Sequence, residues 1–434
     1  MTKCIAAWTH TYCSPQGERR LCCSSREPST NFNQYIDSGE NEKADTFHIP
    51  TLDEHWNSEH MKSVRRRMLD GEELPECQVC DNKLLNTDVY RDYFEHMFGH
   101  KWEEVLKNTD PDGTYNGNPI SFDYRFSNLC NFKCRMCGPM LSSSWEAEAV
   151  KHFENYAEKE PWIKLKPELK KNSEAMYREM IDLGDQIEEI YWVGGEPLMF
   201  KEHWQIMTGL ANSGQSKKVY ARYNTNLSRT TFPVSVPPRG VNINLWELLT
   251  RFRDWQICAS LDGTGVIGEY IRTGLNYNQF IENFEEGLEH TTNPRQMRFD
   301  FTLTTPGLFE VRNMFHLSKK YNVGILAKVC FEFDSSLAMC PLWLPEEVLH
   351  PIVQELLDEL APLADRNQQA LIDVLTNLLE RDTMENKYND YMEGRKRGKA
   401  RLQELENIRN HPIAMHEIFA MNSEAALDFW NGIG

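Results

Sequence analysis

The sequence predicts an α/β protein: a partial (β/α)6, TIM-like barrel with a small cysteine-rich N-terminal domain and a helical C-terminal region. Three observations carry this expectation. Short strand-like runs alternate with helix-patterned segments between residues 120 and 335, nine of the twelve cysteines fall within the first 137 positions, and the apolar spacing from 345 onward is helical throughout.

Residues 1 to about 108 are irregular and rich in cysteine, with two helix-like stretches, "DEHWNSEHMKSVRRRML" and "TDVYRDYFEHMFGHKWEEVLK". The run "NTDPDGTYNGNP" (108 to 119) is dense in Asn, Asp, Gly and Pro and marks a domain boundary. Six strand-like runs follow: "ISFDYRF" (120 to 126), "IEEIYWV" (187 to 193), "KVYARYN" (218 to 224), "WQICASL" (255 to 261), "MRFDFTL" (297 to 303) and "ILAKVCFEF" (325 to 333). Helix-patterned segments separate them, which implies parallel βαβ units. "FPVSVPPRG" (232 to 240) reads as an inserted Pro-rich loop, and residues 345 to 434 as a helical cap. In a parallel barrel the loops after the strands share one face and carry function. Here they read in order as a three-cysteine loop, "GGEP", "NTN", "SLDG", "TTPG" and "DSS".

At 434 residues the chain is long enough for two or three domains at roughly 150 residues each. No apolar run approaches the ~18 residues of a membrane span, and the N-terminus lacks a basic-then-apolar signal pattern, so a cytoplasmic protein is expected. A net charge of −18 disfavours non-specific binding to nucleic acid or anionic lipid. Two basic runs, Arg65 to Arg67 and Arg395 to Arg401, sit in helix-patterned acidic sequence and are expected on solvated helix faces.

Twelve cysteines without an export signal point to metal or redox chemistry rather than disulfides. Cys258, Cys330 and Cys340 stand apart and are expected as small buried apolar residues. Cys130, Cys134 and Cys137 form a C-x3-C-x2-C run after the first strand. A four-iron cluster takes four thiolates, so three leave one iron open, and an open position distinguishes a catalytic metal site from a structural one.

On these residues the chain resembles the radical S-adenosylmethionine enzymes. The family places C-x3-C-x2-C after the first strand of a partial (β/α)6 barrel, often with an aromatic residue before the last cysteine, where this chain has Met136. "GGEP" (194 to 197), "NTN" (224 to 226) and the "SLDG…EYIR" stretch from Ser260 to Arg272 also match. The resemblance implies a 4Fe-4S cluster on the three cysteines, with S-adenosylmethionine chelating the open iron. Its reductive cleavage would yield a 5′-deoxyadenosyl radical that abstracts hydrogen from substrate. Gly194, Gly195 and Glu196 are expected at the methionyl ammonium, and Ser260, Arg272, Asn224 and Asn226 at the carboxylate and ribose end. Asp262, Glu332 and Asp334 lie near strand ends, more as orienting or structural carboxylates than as bases.

A second constellation reads Cys4, twelve residues, Gly17, four residues, Cys22, then Cys77-x2-Cys80. It resembles the twitch domain, a short auxiliary-cluster domain of the same family, which there follows the barrel and here precedes it. The resemblance implies a second, closed 4Fe-4S cluster on Cys4, Cys22, Cys77 and Cys80. Paired cysteines also suit structural zinc. Cys13 and Cys23 have no assigned role. Relatives with auxiliary clusters imply a peptide or protein side chain as substrate, with dehydrogenation of a small molecule as the alternative and a flavodoxin- or ferredoxin-like electron donor. An alternative of another class is a non-catalytic zinc-binding interaction protein on a degenerate barrel.

Overall fold

The computed structural model describes residues 3–25, 49–82, 89–233, 242–331 and 334–434. The Pro-rich loop lies almost wholly outside these residues, as does Glu332. The chain divides into two compact units, one of residues 1–129, 153–223 and 231–255, the other of residues 130–152, 224–230 and 256–434.

The first unit is built on strands β1 (His10–Cys13), β2 (Arg19–Arg20), β3 (Ser121–Tyr124), β4 (Glu189–Trp192) and β5 (Tyr220–Thr225), with a hairpin of β6 (Thr231–Pro233) and β7 (Asn242–Asn244) beside them. β5, β4, β3 and β1 run parallel in that order, and β2 closes the edge antiparallel to β1. β1 was not among the six expected strands, and it brings the cysteine-rich segment into the sheet.

Residues opposite one another across a ladder share a face. The register His10↔Ser121↔Glu189↔Tyr220 and Tyr12↔Asp123, with Tyr191↔Arg222, therefore gives one polar face. The other face carries Phe122, Ile190, Trp192, Ala221 and Tyr223, all essentially buried. Helices Lys166–Asp182 and Lys201–Ser213 precede β4 and β5 as the alternating pattern required.

Burying the polar face demands partners. His10 Nδ1 meets Ser121 Oγ at 2.7 Å, Ser121 Oγ donates to Glu189 at 2.5 Å, and Tyr93 donates to the other Glu189 oxygen. Burial holds His10 neutral, its pKa pushed down to about 3.

The N-terminal core packs Ile5, Trp8, Trp56, Met61, Val64, Phe94 and Phe98. Thr51 closes a capping box on helix Leu52–Trp56, and Ser58 caps helix Glu59–Leu69. One expectation fails here. Arg65 is fully buried rather than solvated, because its guanidinium donates to Ala7 O, Trp56 O and Asn57 Oδ1 and stacks on the Trp56 ring at 4.8 Å. Carbonyls and a ring replace the water that an arginine normally keeps.

The second unit carries β8 (Asp254–Ser260), β9 (Met297–Leu303) and β10 (Gly324–Val329), all parallel. Here too one face is polar, with Cys258↔Arg298, Ser260↔Asp300 and Thr302↔Lys328. The other carries Ile257, Phe299, Phe301 and Ile325. The tail is helical, as its apolar spacing required: Glu346–Leu360, Gln369–Leu379, Tyr391–Arg409, Met415–Asn422 and Glu424–Gly432. The Arg395 to Arg401 run lies on a helix, with Lys396 and Arg397 exposed, but Arg395, Lys399 and Arg401 are only half-exposed and Lys399 donates to Trp430 O and Ile433 O at 2.8 Å, so the solvated face holds in part. Among the described residues no helix is long and apolar enough to cross a membrane.

Candidate functional site

The loop of Cys130, Cys134 and Cys137 follows β3 in sequence and is pinned almost residue by residue within the second unit. Cys130 N–H donates to Ser143 Oγ at 3.1 Å, and Ser144 Oγ donates to Cys130 O at 2.8 Å. Lys133 N–H reaches Thr273 O at 2.7 Å, Arg135 N–H reaches Ile271 O at 2.9 Å, and Cys137 N–H turns back onto Cys134 O at 3.1 Å. Gly274 has φ +111°, and a Cβ there would stand 3.0 Å from the Phe132 ring. A loop with so many fixed backbone groups presents its thiols without having to order them on binding.

Burial raises the Cys134 thiol, and it pushes the Cys137 thiol up to about 12. Such thiols ionise only against a bound positive centre. Arg272 Nη1 stands 4.0 Å from Cys134 Sγ, and the same guanidinium is gripped by fully buried Asp262, with Nε 2.6 Å from Oδ2. Burial tends to raise the Asp262 carboxyl, while Arg272 and the Thr302 N–H, donating at 2.8 Å, act against it. Asp262 thus fixes the Arg272 guanidinium.

The other expected cofactor residues fall in three places. Asn226 donates to Asn131 Oδ1 at 3.0 Å, beside Cys130. Asn224 donates to Asp300, which lies across the ladder from Ser260. Gly194, Gly195 and Glu196 belong to the first unit, where Glu196 N–H donates to Leu129 O at 2.7 Å and its carboxylate caps Leu198 N–H at 3.1 Å. Gly194 and Gly195 have φ +86° and +51°, and a Cβ on Gly195 would lie 2.5 Å from Leu129 O. Only glycine meets both demands. Asp334 opens the short turn Asp334–Met339.

Sequence reasoning missed Asp300 and Lys328, whose ammonium meets both Asp300 oxygens at 2.9 and 3.0 Å. It also missed Arg409, which donates from the C-terminal helix to Lys133 O at 2.7 Å. Alternation within "MRFDFTL" signals which face Asp300 takes; nothing in the sequence signals Arg409.

In the first unit Cys4, Cys22, Cys77 and Cys80 line one pocket, together with Leu21, Tyr90, Arg91 and Phe94. Gly17 has φ +81° in the turn between β1 and β2. Burial pushes Cys4 up to about 12 and Cys77 up to about 11, the latter against the pull of Arg91. Among the described residues no three His, Cys, Asp or Glu side chains converge closely enough to hold a single ion. Cys13 instead accepts from Asn172 Nδ2 at 3.6 Å, and Cys23 is hydrogen-bonded with Tyr90. Cys258, Cys330 and Cys340 are buried, as expected.

No protein-family model and no curated protein matches the sequence. Among solved structures, Streptococcus suis SuiB bound to S-adenosylmethionine aligns at 10% identity and a TM-score of 0.35, over 73% of this chain and 65% of that one. The chain thus spans about two thirds of SuiB's length. SuiB bound to its precursor peptide SuiA gives 10% and 0.35, covering 77% and 69%, and TYW1 with a lysine-pyruvate adduct gives 11% and 0.28, covering 61% and 80%. Scores of this size carry no argument for a shared activity, and the functional case rests on this chain's own residues.

Proposed function

We propose that the chain is a radical S-adenosylmethionine enzyme acting on a peptide or protein side chain. The observation that carries the proposal is the pinned loop of Cys130, Cys134 and Cys137, with Cys134 and Cys137 thiols that burial keeps protonated and the Arg272 guanidinium 4.0 Å from Cys134. Three soft donors on a preformed loop suit a cluster with one open iron. A 4Fe-4S cluster and S-adenosylmethionine, when bound, supply one-electron cleavage to a 5′-deoxyadenosyl radical.

The chain's residues then have separable roles. Cys130, Cys134 and Cys137 hold the cluster, and Arg272, fixed by Asp262, offers positive charge beside the Cys134 sulfur. Gly194 and Gly195 let backbone approach the ligand, and Glu196 accepts from its ammonium. Ser260, Asn224 and Asn226 provide neutral polar contacts for the carboxylate and ribose. Cys4, Cys22, Cys77 and Cys80 hold a second cluster, a reading supported by the four cysteines lining one pocket. The substrate class comes from the resemblance of the cysteine pattern to peptide-modifying relatives.

Metal content after anaerobic reconstitution, with 5′-deoxyadenosine measured under dithionite, tests this. About eight irons per chain are expected, falling to about four with loss of 5′-deoxyadenosine when Cys130, Cys134 and Cys137 become alanine. About four irons and one zinc overturn the second cluster. Zinc alone without cleavage overturns the enzyme and leaves a zinc-binding interaction protein.

A further inference from the structure

Among the described residues that line the four-cysteine pocket there is a single cation. Arg91, in the first turn of helix Tyr90–Phe98, lines it beside all four thiols. Its guanidinium hydrogen-bonds Cys77 and attracts Cys4 and Cys80. Its Nε is buried without a hydrogen-bond partner. Nη2 is fixed 2.7 Å from Asp81 Oδ1, on the residue that follows Cys80. Glu76, also in the wall, is turned onto Arg67 at 3.5 Å. Much of the remaining wall is apolar, with Ala6, Leu21 and Phe94.

Four thiolates around a cubane leave a net negative centre, and one more electron makes it more negative. A cation with N–H groups aimed at the sulfurs, in poorly polarisable surroundings, favours the reduced form and raises the potential. We infer that Arg91 sets the reduction potential of the N-terminal centre, drawing it upward so that the centre accepts an electron, with Asp81 as its counterweight. The inference rests on the second-cluster reading above. The redox step is one-electron transfer without a bond made or broken: the centre gains the electron and its reductant, dithionite in the test, loses it.

The test is a potentiometric titration followed by electron paramagnetic resonance, on the full chain carrying alanine at Cys130, Cys134 and Cys137 so that only this centre contributes. R91Q is expected to lower the one-electron equilibrium constant by about tenfold or more, a fall of about 59 mV or more. R91K, which keeps the charge, is expected to recover most of that, and D81N to move the potential upward. Unshifted potentials in both R91Q and D81N, at parental iron content, overturn the inference, since a merely structural arginine leaves the potential alone. If R91Q fails to retain iron, D81N decides: an upward shift supports the role, and no shift overturns it. Zinc in place of iron in the parent overturns the second-cluster reading instead.

Discussion

Arg409 and Glu148 form a buried ion pair, with Nη2 2.7 Å from Oε1 and side chains 1% and 4% exposed. Arg409 also stacks on Trp145 at 4.8 Å and donates to the carbonyl of Lys133, inside the three-cysteine loop. Glu148 further accepts from the Lys133 ammonium at 2.5 Å. The end of the long C-terminal helix therefore clamps the loop. Removing Arg409 leaves the buried Glu148 carboxylate with Lys133 alone, so R409A is expected to cost up to about 3 kcal/mol in denaturant unfolding and to reduce iron loading at the loop.

The same pair fixes a pH window. Burial works to raise the Glu148 carboxyl, but hydrogen bonds from Arg409 and Lys133 outweigh it and hold it below the usual range. A depressed carboxylate contributes stability that is present above its unfolded pKa of about 4.3 and lost as pH falls through the folded value. The stability difference between the native chain and E148Q should be flat above about pH 5 and shrink below about 4, as read from urea midpoints.

His203 gives a second, separate dependence. It is fully buried against Tyr223 Oη at 2.9 Å, and burial pushes its pKa down to about 3. The unfolded chain takes up a proton near pH 6.5 that the folded chain refuses, so stability falls as pH drops from about 6.5 towards 3. Between pH 7 and 5 the loss from His203 is about 2 kcal/mol, and H203Q should remove that share of the slope in thermal or urea unfolding while buried His10 keeps its own.

Gly195 has φ +51°, and a Cβ there meets Leu129 O at 2.5 Å. G195A is expected to cost about 1–3 kcal/mol from backbone strain alone. Because Leu129 precedes Cys130, iron per chain should also fall, whereas G209A, at a helical glycine with open space, should leave both unchanged.

Arg272 and Asp262 should be unequal in their repair. R272K keeps a charge but loses the fork that reaches both Asp262 oxygens, at 2.6 and 3.0 Å. Calorimetric binding of S-adenosylmethionine to the reconstituted protein should therefore weaken about tenfold or more in R272K, with parental iron content.

Elements whose signal is local were legible. "MRFDFTL" is β9 residue for residue, and "KEHWQIMTGLAN" is the helix Lys201–Ser213 within one position. β1 was not, because "HTYC" is four residues long and its ladder partner lies far along the chain. The cysteine spacings picked out Cys4, Cys22, Cys77 and Cys80, which the fold brings to one pocket. Arg65 and Arg409 were illegible for one shared reason. On a helix a buried arginine has the same local sequence as a solvated one, and only tertiary neighbours distinguish them. Asp262 and Arg272 lay in one motif, but their pairing is a product of the fold.

β1 also sets a clock on synthesis. His10 meets Ser121 across 111 residues of chain, so the first parallel strand emerges from the ribosome well before the strand it lies against. At roughly 5–20 residues per second that is a wait of about 5–20 s. Until residue 80 is out, Cys4 and Cys22 have neither the finished sheet nor Cys77 and Cys80 to enclose them. Under the proposed second-cluster reading, iron delivered to the nascent chain at that stage would meet loose thiols rather than a pocket, so the yield of that centre should depend on how reducing the surroundings are while the chain is being made.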